Sequence, residues 1–141
     1  DLSVSANIPD RYVPSAEQRM DLYRRIAAIR SESDADDLVD ELIDRYGEPP
    51  RPVNNLISVA LLRCAASSAG ITDISQKAGC LLFSMPKFDL AAVSALCASS
   101  KYKGRLLFSA GEKPYLSLRL RKGEDPLKAA QQVVDDHGKE N

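Results

Sequence analysis

The sequence has 141 residues, of which 44% are hydrophobic and 28% charged, as is typical of one globular domain with its own core. No apolar run approaches the roughly 20 residues of a membrane-spanning helix, and no N-terminal segment has the pattern of a secretion signal. Three widely spaced cysteines without a Cys-x-x-Cys pair, and a single histidine (His137), argue against a zinc site and predict reduced thiols in a cytoplasmic protein.

The net charge of −1 conceals a division of charge along the chain. Residues 1–50 carry twelve carboxylates and six arginines, a net charge of −6, whereas residues 99–123 carry seven basic side chains and one acid, a net charge of +6. Such polarity indicates recognition of a partner rather than a particular fold.

The first half of the chain predicts helices after a lead-in (1–14) that is a short strand or an extended segment. The first helix is predicted to begin at Ser15, because Gln18 three residues later completes a capping-box pattern. It runs to about Arg30. Its apolar residues predict one broad buried face: Met20, Leu22, Tyr23, Ile26, Ala27 and Ile29.

A second helix is predicted from Ser33, with Asp36 at the capping-box position, to Gly47, where two prolines forbid continuation. A third helix follows from about Pro52 to Ser68. The predicted buried stripe of the second helix consists of Leu38, Val39, Leu42, Ile43 and Tyr46.

Short strands and two further helices are predicted in the second half. The first two strands, "ITDIS" and "CLLFSM", form a hairpin around "QKAG". A helix capped by Asp89 follows, with Leu90, Ala92, Val93, Leu96 and Cys97 inward. The strands "RLLFSA" and "PYLSLRL" come next, and a last helix begins after Asp125. We therefore predict an α+β fold, with N-terminal helices followed by a small sheet of short strands and two further helices. One domain over 1–141 is expected, with a helical part (15–69) and a mixed part (70–141).

Catalysis is not expected in this chain. The sequence has no phosphate-binding loop, no dinucleotide-binding glycine pattern and no nucleophile elbow. Its carboxylates crowd a predicted exposed helix face rather than a cleft that would perturb their pKa values. We expect neither an enzyme nor a cofactor or metal site.

Four carboxylates form an acidic patch on the second helix: Asp37, Asp40, Glu41 and Asp44 lie within about 100° of one another at helical spacing. Only Arg45 is near enough in sequence to relieve their repulsion. The patch is either a solvated face or a docking site for arginines, which bind carboxylates in bidentate pairs.

A basic stretch in the second half could instead contact nucleic-acid phosphates, through Lys101, Lys103, Arg105, Arg119 and Arg121. Aromatic residues among them are few, and charges on exposed strands also discourage edge pairing. Direct DNA binding is therefore the less favoured hypothesis.

Two blocks of the sequence resemble a known family. "IPDRYVPSAEQRMDLYRRI" (8–26) and "DELIDRYGEPPRPVNNLISVALLR" (40–63) are similar to the C-terminal domain of the bacterial transcription-repair coupling factor family. The residues that fit the family pattern are Ile8, Pro9, Tyr12, Arg19, Tyr23, Glu41, Leu42, Asp44, Arg45, Tyr46, Gly47 and Pro50.

The resemblance implies a role outside this chain's own chemistry. The full-length factor would be an ATP-driven DNA translocase that removes stalled RNA polymerase and recruits UvrA, with ATP and Mg²⁺ bound in a motor elsewhere. The C-terminal domain would dock on the UvrB-like N-terminal module of the same protein, cover its UvrA-binding surface and restrain the motor. Glu41 and Asp44 would be its first contacts, supported by Asp37 and Asp40; a purely structural end-cap for the motor is a further alternative.

Overall fold

The computed structural model describes residues 2–140, with the backbone alone for residue 140; Asp1 and Asn141, the ends of the predicted domain, lie outside the described residues. No helix in this part of the chain is long and apolar enough to cross a membrane. The elements in chain order are α1 (Ala16–Ala27), α2 (Glu32–Tyr46), α3 (Arg51–Ser68), β1 (Asp73–Lys77), β2 (Cys80–Ser84), α4 (Leu90–Ala98), β3 (Leu106–Ser109), β4 (Tyr115–Arg119) and α5 (Pro126–Glu140). This is the predicted α+β order.

The chain divides into two compact units. One comprises residues 4–64, and the other comprises residues 65–140 with residues 2 and 3. A single domain over 1–141 stays a prediction, and each unit is described by itself.

The helical unit (4–64) is built around one apolar cluster. Burying this surface is the main free-energy gain available to three short helices. The buried members come from the lead-in, from α1 to α3 and from the α1–α2 connection: Ile8, Val13, Leu22, Ile26, Ile29, Ala35, Leu38, Leu42, Val53, Ile57 and Ala60.

The lead-in is not a strand over its described residues, 2–14; it turns at residues 10–12, where the N–H groups of Tyr12 and Val13 donate to the carbonyl oxygen of Pro9, and further hydrogen bonds hold it in place. The backbone N–H of Asn7 donates to the carbonyl oxygen of Pro52 (3.2 Å), and that of Ile8 donates to the hydroxyl oxygen of Tyr23 (2.8 Å). The side-chain amide of Asn55 donates to the carbonyl oxygen of Ser5 (2.8 Å). These bonds fix the lead-in against α1 and α3.

The N-terminus of α2 differs from the prediction, because the helix begins at Glu32 with Ser31 as its cap rather than Ser33. The hydroxyl oxygen of Ser31 accepts from the N–H of Asp34 (3.1 Å), whose carboxylate in turn accepts from the N–H of Arg30 (2.9 Å). This cap satisfies two amides and begins the helix early enough to bury Ala35. The predicted cap of α1 is confirmed, since the hydroxyl oxygen of Ser15 accepts from the N–H of Gln18.

Several apolar residues predicted to face inward are exposed. In α1 only Leu22 and Ile26 are buried, whereas Met20 is 56% and Tyr23 37% exposed and Ala27 is also at the surface. The reason is that α1 contributes a narrow stripe to the helical core rather than a broad face. Ile43 of α2 (37% exposed) and Leu90 of α4 (59% exposed) lie outside their buried stripes in the same way.

The strands form one antiparallel sheet in the order β1-β2-β4-β3. Alternate side chains are buried on the two central strands, β2 and β4, whereas β1 has no buried residue and β3 only Leu106; the register aligns them in rows across the sheet. The two inner rows are Ile74–Phe83–Leu116–Phe108 and Gln76–Leu81–Leu118–Leu106. The helix predicted after Asp125 is present as α5, and it buries Leu127, Ala130, Val133 and Val134.

Strand β1 lies two residues later than predicted, whereas β2 begins at Cys80 as predicted, so the turn is two residues long rather than four. The turn, Ala78-Gly79, has positive φ at both positions (51° and 77°), as the hairpin turn that matches strand twist requires. The turn pairs Lys77 with Cys80 and so sets the register. Ile71, predicted in the strand, instead ends α3 through its N–H bond to the carbonyl oxygen of Ala66 (2.9 Å).

A buried tyrosine joins the segment after α4 to α5. Tyr102 is 2% exposed and donates its hydroxyl to the carboxylate of Asp136, which also accepts from the ammonium of Lys101 at 2.7 Å. Burial and the bond to Asp136 both raise the pKa of Tyr102. Burial disfavours the ionised Asp136, but its hydrogen bonds to Lys101 and Tyr102 outweigh this effect and lower its pKa.

We expect Ala78→Asn to stabilise the chain by about 0.5–1 kcal/mol, because asparagine tolerates the positive φ that costs alanine free energy. Ala78→Val should destabilise it, since a β-branched residue tolerates this conformation least. Urea unfolding of the three proteins measures both changes. Equal midpoints for all three would contradict strain at this turn.

Tyr102→Phe should lower the unfolding free energy by about 1–2 kcal/mol at neutral pH, through loss of the buried hydrogen bond. Because the folded chain keeps this phenol protonated while the unfolded chain ionises near pH ~10, the unfolding free energy of the unaltered chain should fall further above that pH. The difference between the two proteins should therefore shrink there. Tyr115→Phe, at a half-exposed tyrosine, is the matched control and should leave the unfolding free energy at neutral pH unchanged.

Candidate docking face

Three aspartates of the predicted patch lie on the exposed side of α2. Asp37, Asp40 and Asp44 are exposed, and none of them forms an ion pair with another residue of the described part of the chain, 2–140. Leu38 and Leu42 bury the opposite side of the helix. We call Asp37, Asp40, Glu41 and Asp44 the acidic face.

Glu41 differs from the aspartates because two arginines bind its carboxylate. The guanidinium of Arg25 in α1 donates to both carboxylate oxygens, with Nη1–Oε2 at 2.6 Å and Nη2–Oε1 at 2.9 Å. Nη1 of Arg45 lies 3.5 Å from Oε2. Arg45 is the arginine that proximity in sequence indicated, and α1 supplies a second and closer one, Arg25.

This arrangement changes the electrostatics of Glu41. The hydrogen bond from Arg25 lowers the pKa of the Glu41 carboxyl, and it raises the pKa of the Arg25 guanidinium in return. About two fifths of each side chain is exposed, so water screens the pair. The acidic face thus contains one neutralised carboxylate at the margin next to α1 and three whose charge is not compensated by an ion pair.

The C-terminal end of α2 is held by contacts that do not involve the three aspartates of the acidic face. Gly47 has a φ of +84° and donates its N–H to the carbonyl oxygen of Ile43 (3.0 Å), while its own carbonyl accepts from the hydroxyl of Tyr12 (2.8 Å). Tyr46 packs against the helical core and donates to Oε1 of Gln18 at 2.9 Å. Arg45 lies over the Tyr46 ring, 5.1 Å from its centroid. These residues shape the helix end.

The predicted phosphate-contacting bases are partly engaged within their own unit. Lys101 pairs with Asp136, and the guanidinium of Arg105 pairs with the carboxylate of Glu124. Lys103, Arg119 and Arg121 are exposed and form no ion pair within residues 2–140. Two of the five bases are therefore already neutralised.

A cavity of about 310 Å³ lies beside some of these bases. It is lined by Arg121 and Lys128 but also by Glu124 and Asp125, and it contains the engaged Lys101 and Arg105. Its four bases outnumber its two acids, but Lys101 and Arg105 are already paired with Asp136 and Glu124, which weakens the attraction for a phosphate.

No metal-binding arrangement is found in the described residues. They contain no group of three or more His, Cys, Asp or Glu side chains that could hold a metal ion. The three cysteines are free thiols, and burial raises the pKa of Cys97, which makes it a poorer nucleophile at neutral pH.

Sequence reasoning missed the partners that come from other elements: Arg25 for Glu41, Asp136 for Lys101, and Glu124 for Arg105. One signal was available for Arg25, which lies beside the buried Leu22 and Ile26 and so at the margin of the packed face of α1. The other two pairs join residues 19 and 35 positions apart, and no local pattern indicates them.

The sequence of this chain is similar to those of known proteins. A family model described as TRCF domain matches residues 2–94. The transcription-repair-coupling factor of Mycobacterium bovis is 44% identical over 75 residues, which are 53% of this chain and 6% of that relative. The Escherichia coli factor is 33% identical over 85 residues, which are 59% of this chain and 7% of that relative.

The fold has a solved counterpart. The crystal structure of the C-terminal domain of transcription-repair coupling factor superposes with a TM-score of 0.82 at 17% identity, covering 99% of this chain and 88% of that one. Since the family model covers more than half of the sequence, the chain belongs to the TRCF domain family and has the fold of the C-terminal domain of transcription-repair coupling factors.

Proposed function

We propose that this chain is a non-catalytic regulatory domain that docks, through the acidic face of α2, on the UvrB-like N-terminal module of the same protein. Docking would cover the surface of that module that binds UvrA and would restrain the motor. The matched part of the chain, 75 to 85 residues, covers only 6–7% of the length of the relatives described above, so the motor, the module and any contact with RNA polymerase would belong to other parts of such a protein. Its place of action would be the bacterial cytoplasm.

The observation that carries this proposal is the set of exposed aspartates without ion pairs. Asp37, Asp40 and Asp44 share one side of a helix whose other side is buried, so the repulsion among them is not relieved within the described chain. A partner that presents arginines would relieve it, because guanidinium–carboxylate pairs are charge-assisted and bidentate. The partner surface should therefore be basic.

The four acids have different roles in this proposal. Asp44 is the leading contact, because it is exposed and lacks an ion pair, and Asp37 and Asp40 lie beside it. Glu41 belongs to the same face but is already bound by Arg25. Substituting Glu41 would disturb the α1–α2 pair as well as docking, whereas substituting Asp44 removes no ion pair among the described residues, 2–140.

In the full-length protein we expect Asp44→Asn to increase UvrA binding and the ATPase rate, because the docked state is weakened. In a titration of this chain against the separate UvrB-like module, the same change should reduce affinity about tenfold and reduce the dependence of affinity on salt. Glu112→Gln is the matched control, since it removes the same charge from an exposed position in the other unit. Equal affinities for Asp44→Asn and Glu112→Gln, with both proteins folded, would contradict the assignment.

The nucleic-acid alternative requires free basic side chains rather than free carboxylates. We expect no retarded complex of this chain with duplex DNA at moderate salt, because Lys101 and Arg105 are paired with acids. A complex that weakens steeply with salt, and is lost in a Lys103→Gln/Arg121→Gln variant, would favour phosphate contact instead.

The end-cap alternative predicts that deleting the domain lowers stability without changing UvrA binding.

A further inference from the structure

We propose that Arg25 regulates docking by competing, from within the domain, for the Glu41 carboxylate that arginines of the partner would bind. This inference rests on the docking function proposed above. It concerns the order in which the acids become available: Asp44 directly, and Glu41 only by exchange.

The competition follows from how the carboxylate is occupied. Both oxygens of Glu41 accept from Arg25 at 2.6 and 2.9 Å, and Arg45 lies 3.5 Å from one of them. A bidentate pair uses the two carboxylate oxygens together, so a second guanidinium cannot adopt the same geometry while Arg25 holds it. Asp44 has no such occupant.

Exchange is possible because the pair is accessible. The side chains of Arg25 and Glu41 are 39% and 38% exposed, so water can solvate each group as the pair separates. Half-exposed ion pairs contribute little net free energy, and their partners exchange readily. A modest effect on docking is therefore expected, of about two- to fivefold in affinity.

The charge of Arg25 acts in the same direction as its contact. Its guanidinium places one positive charge at the margin of the acidic face and reduces the field that attracts a basic partner. Removing that charge should increase the association rate as well as the affinity. The contribution of the charge can be separated from that of the contact by substituting Arg24. This neighbour is exposed on the same helix and carries the same charge, but among the described residues it has no hydrogen bond to Glu41.

A purely structural role for Arg25 predicts the reverse sign. If the pair mainly held α1 against α2, losing it would loosen the acidic face and weaken docking. The helices are also joined by buried Leu22, Ile26, Leu38 and Leu42, so the pair is not the sole connection between them. Arg25→Met keeps the apolar part of the side chain and tests the charge and the hydrogen bonds.

The experiment titrates this chain against the UvrB-like module, comparing the unaltered chain with Arg25→Met, Arg25→Lys and Arg24→Met. We expect Arg25→Met to bind about two- to fivefold more tightly, Arg25→Lys to fall between it and the unaltered chain, and Arg24→Met to show a smaller gain. Carbon NMR of the Glu41 carboxyl should show its pKa rising towards the ordinary glutamate range in Arg25→Met alone. Adding Glu41→Gln should reduce the gain of Arg25→Met to that of Arg24→Met, because only the contribution of charge remains.

Unchanged or weaker binding by a folded Arg25→Met would overturn the inference, as would an equal gain in Arg24→Met. Failure of the docking function gives a different result, because Asp44→Asn would then bind no more weakly than the unaltered chain. Docking that depends on Asp44 but is indifferent to Arg25 would leave the proposed function in place and reject the competition.

Discussion

The abrupt end of α2 at Gly47 is the constraint on which the helical unit depends. The positive φ of Gly47 and the prolines that follow stop the helix and begin α3 four residues later. Tyr12 from the lead-in secures this junction through the carbonyl oxygen of Gly47. With the chain turned here, the buried residues of α2 and α3 join one apolar cluster, and the charged side of α2 is left facing solvent. The acidic face is therefore a consequence of how the core is closed.

Within that face, tertiary structure separates chemically similar side chains into two kinds. Asp37, Asp40 and Asp44 retain charge that no ion pair compensates, whereas Glu41 sits where α1 approaches and acquires Arg25. A partner meeting this surface would encounter fixed negative charge in the middle and an exchangeable group at the edge. Binding sites of this kind gain specificity from geometry as much as from the number of charges.

Local patterns predicted most of the fold and part of the site. The caps Ser15 and Asp89, the stop at Gly47 and the strand alternation are written in neighbouring residues, and the structure contains all of them. The errors arose where two local solutions competed, as between Ser31 and Ser33, or where tertiary packing narrowed an apolar face. Long-range ion pairs such as Arg25–Glu41 depend on how helices are placed, which periodicity alone does not specify.

The lead-in has a consequence for measuring the stability of the helical unit. Its described residues, 2–14, form no helix or strand, yet Ile8 and Val13 are buried and the amides of Asn7 and Ile8 donate to groups on α3 and α1. Those amides should exchange with deuterium only when α1 and α3, which hold the lead-in, unfold. The segment should become a protease substrate in the same event. A stretch without regular secondary structure thereby becomes the most direct gauge of how often the helical core unfolds.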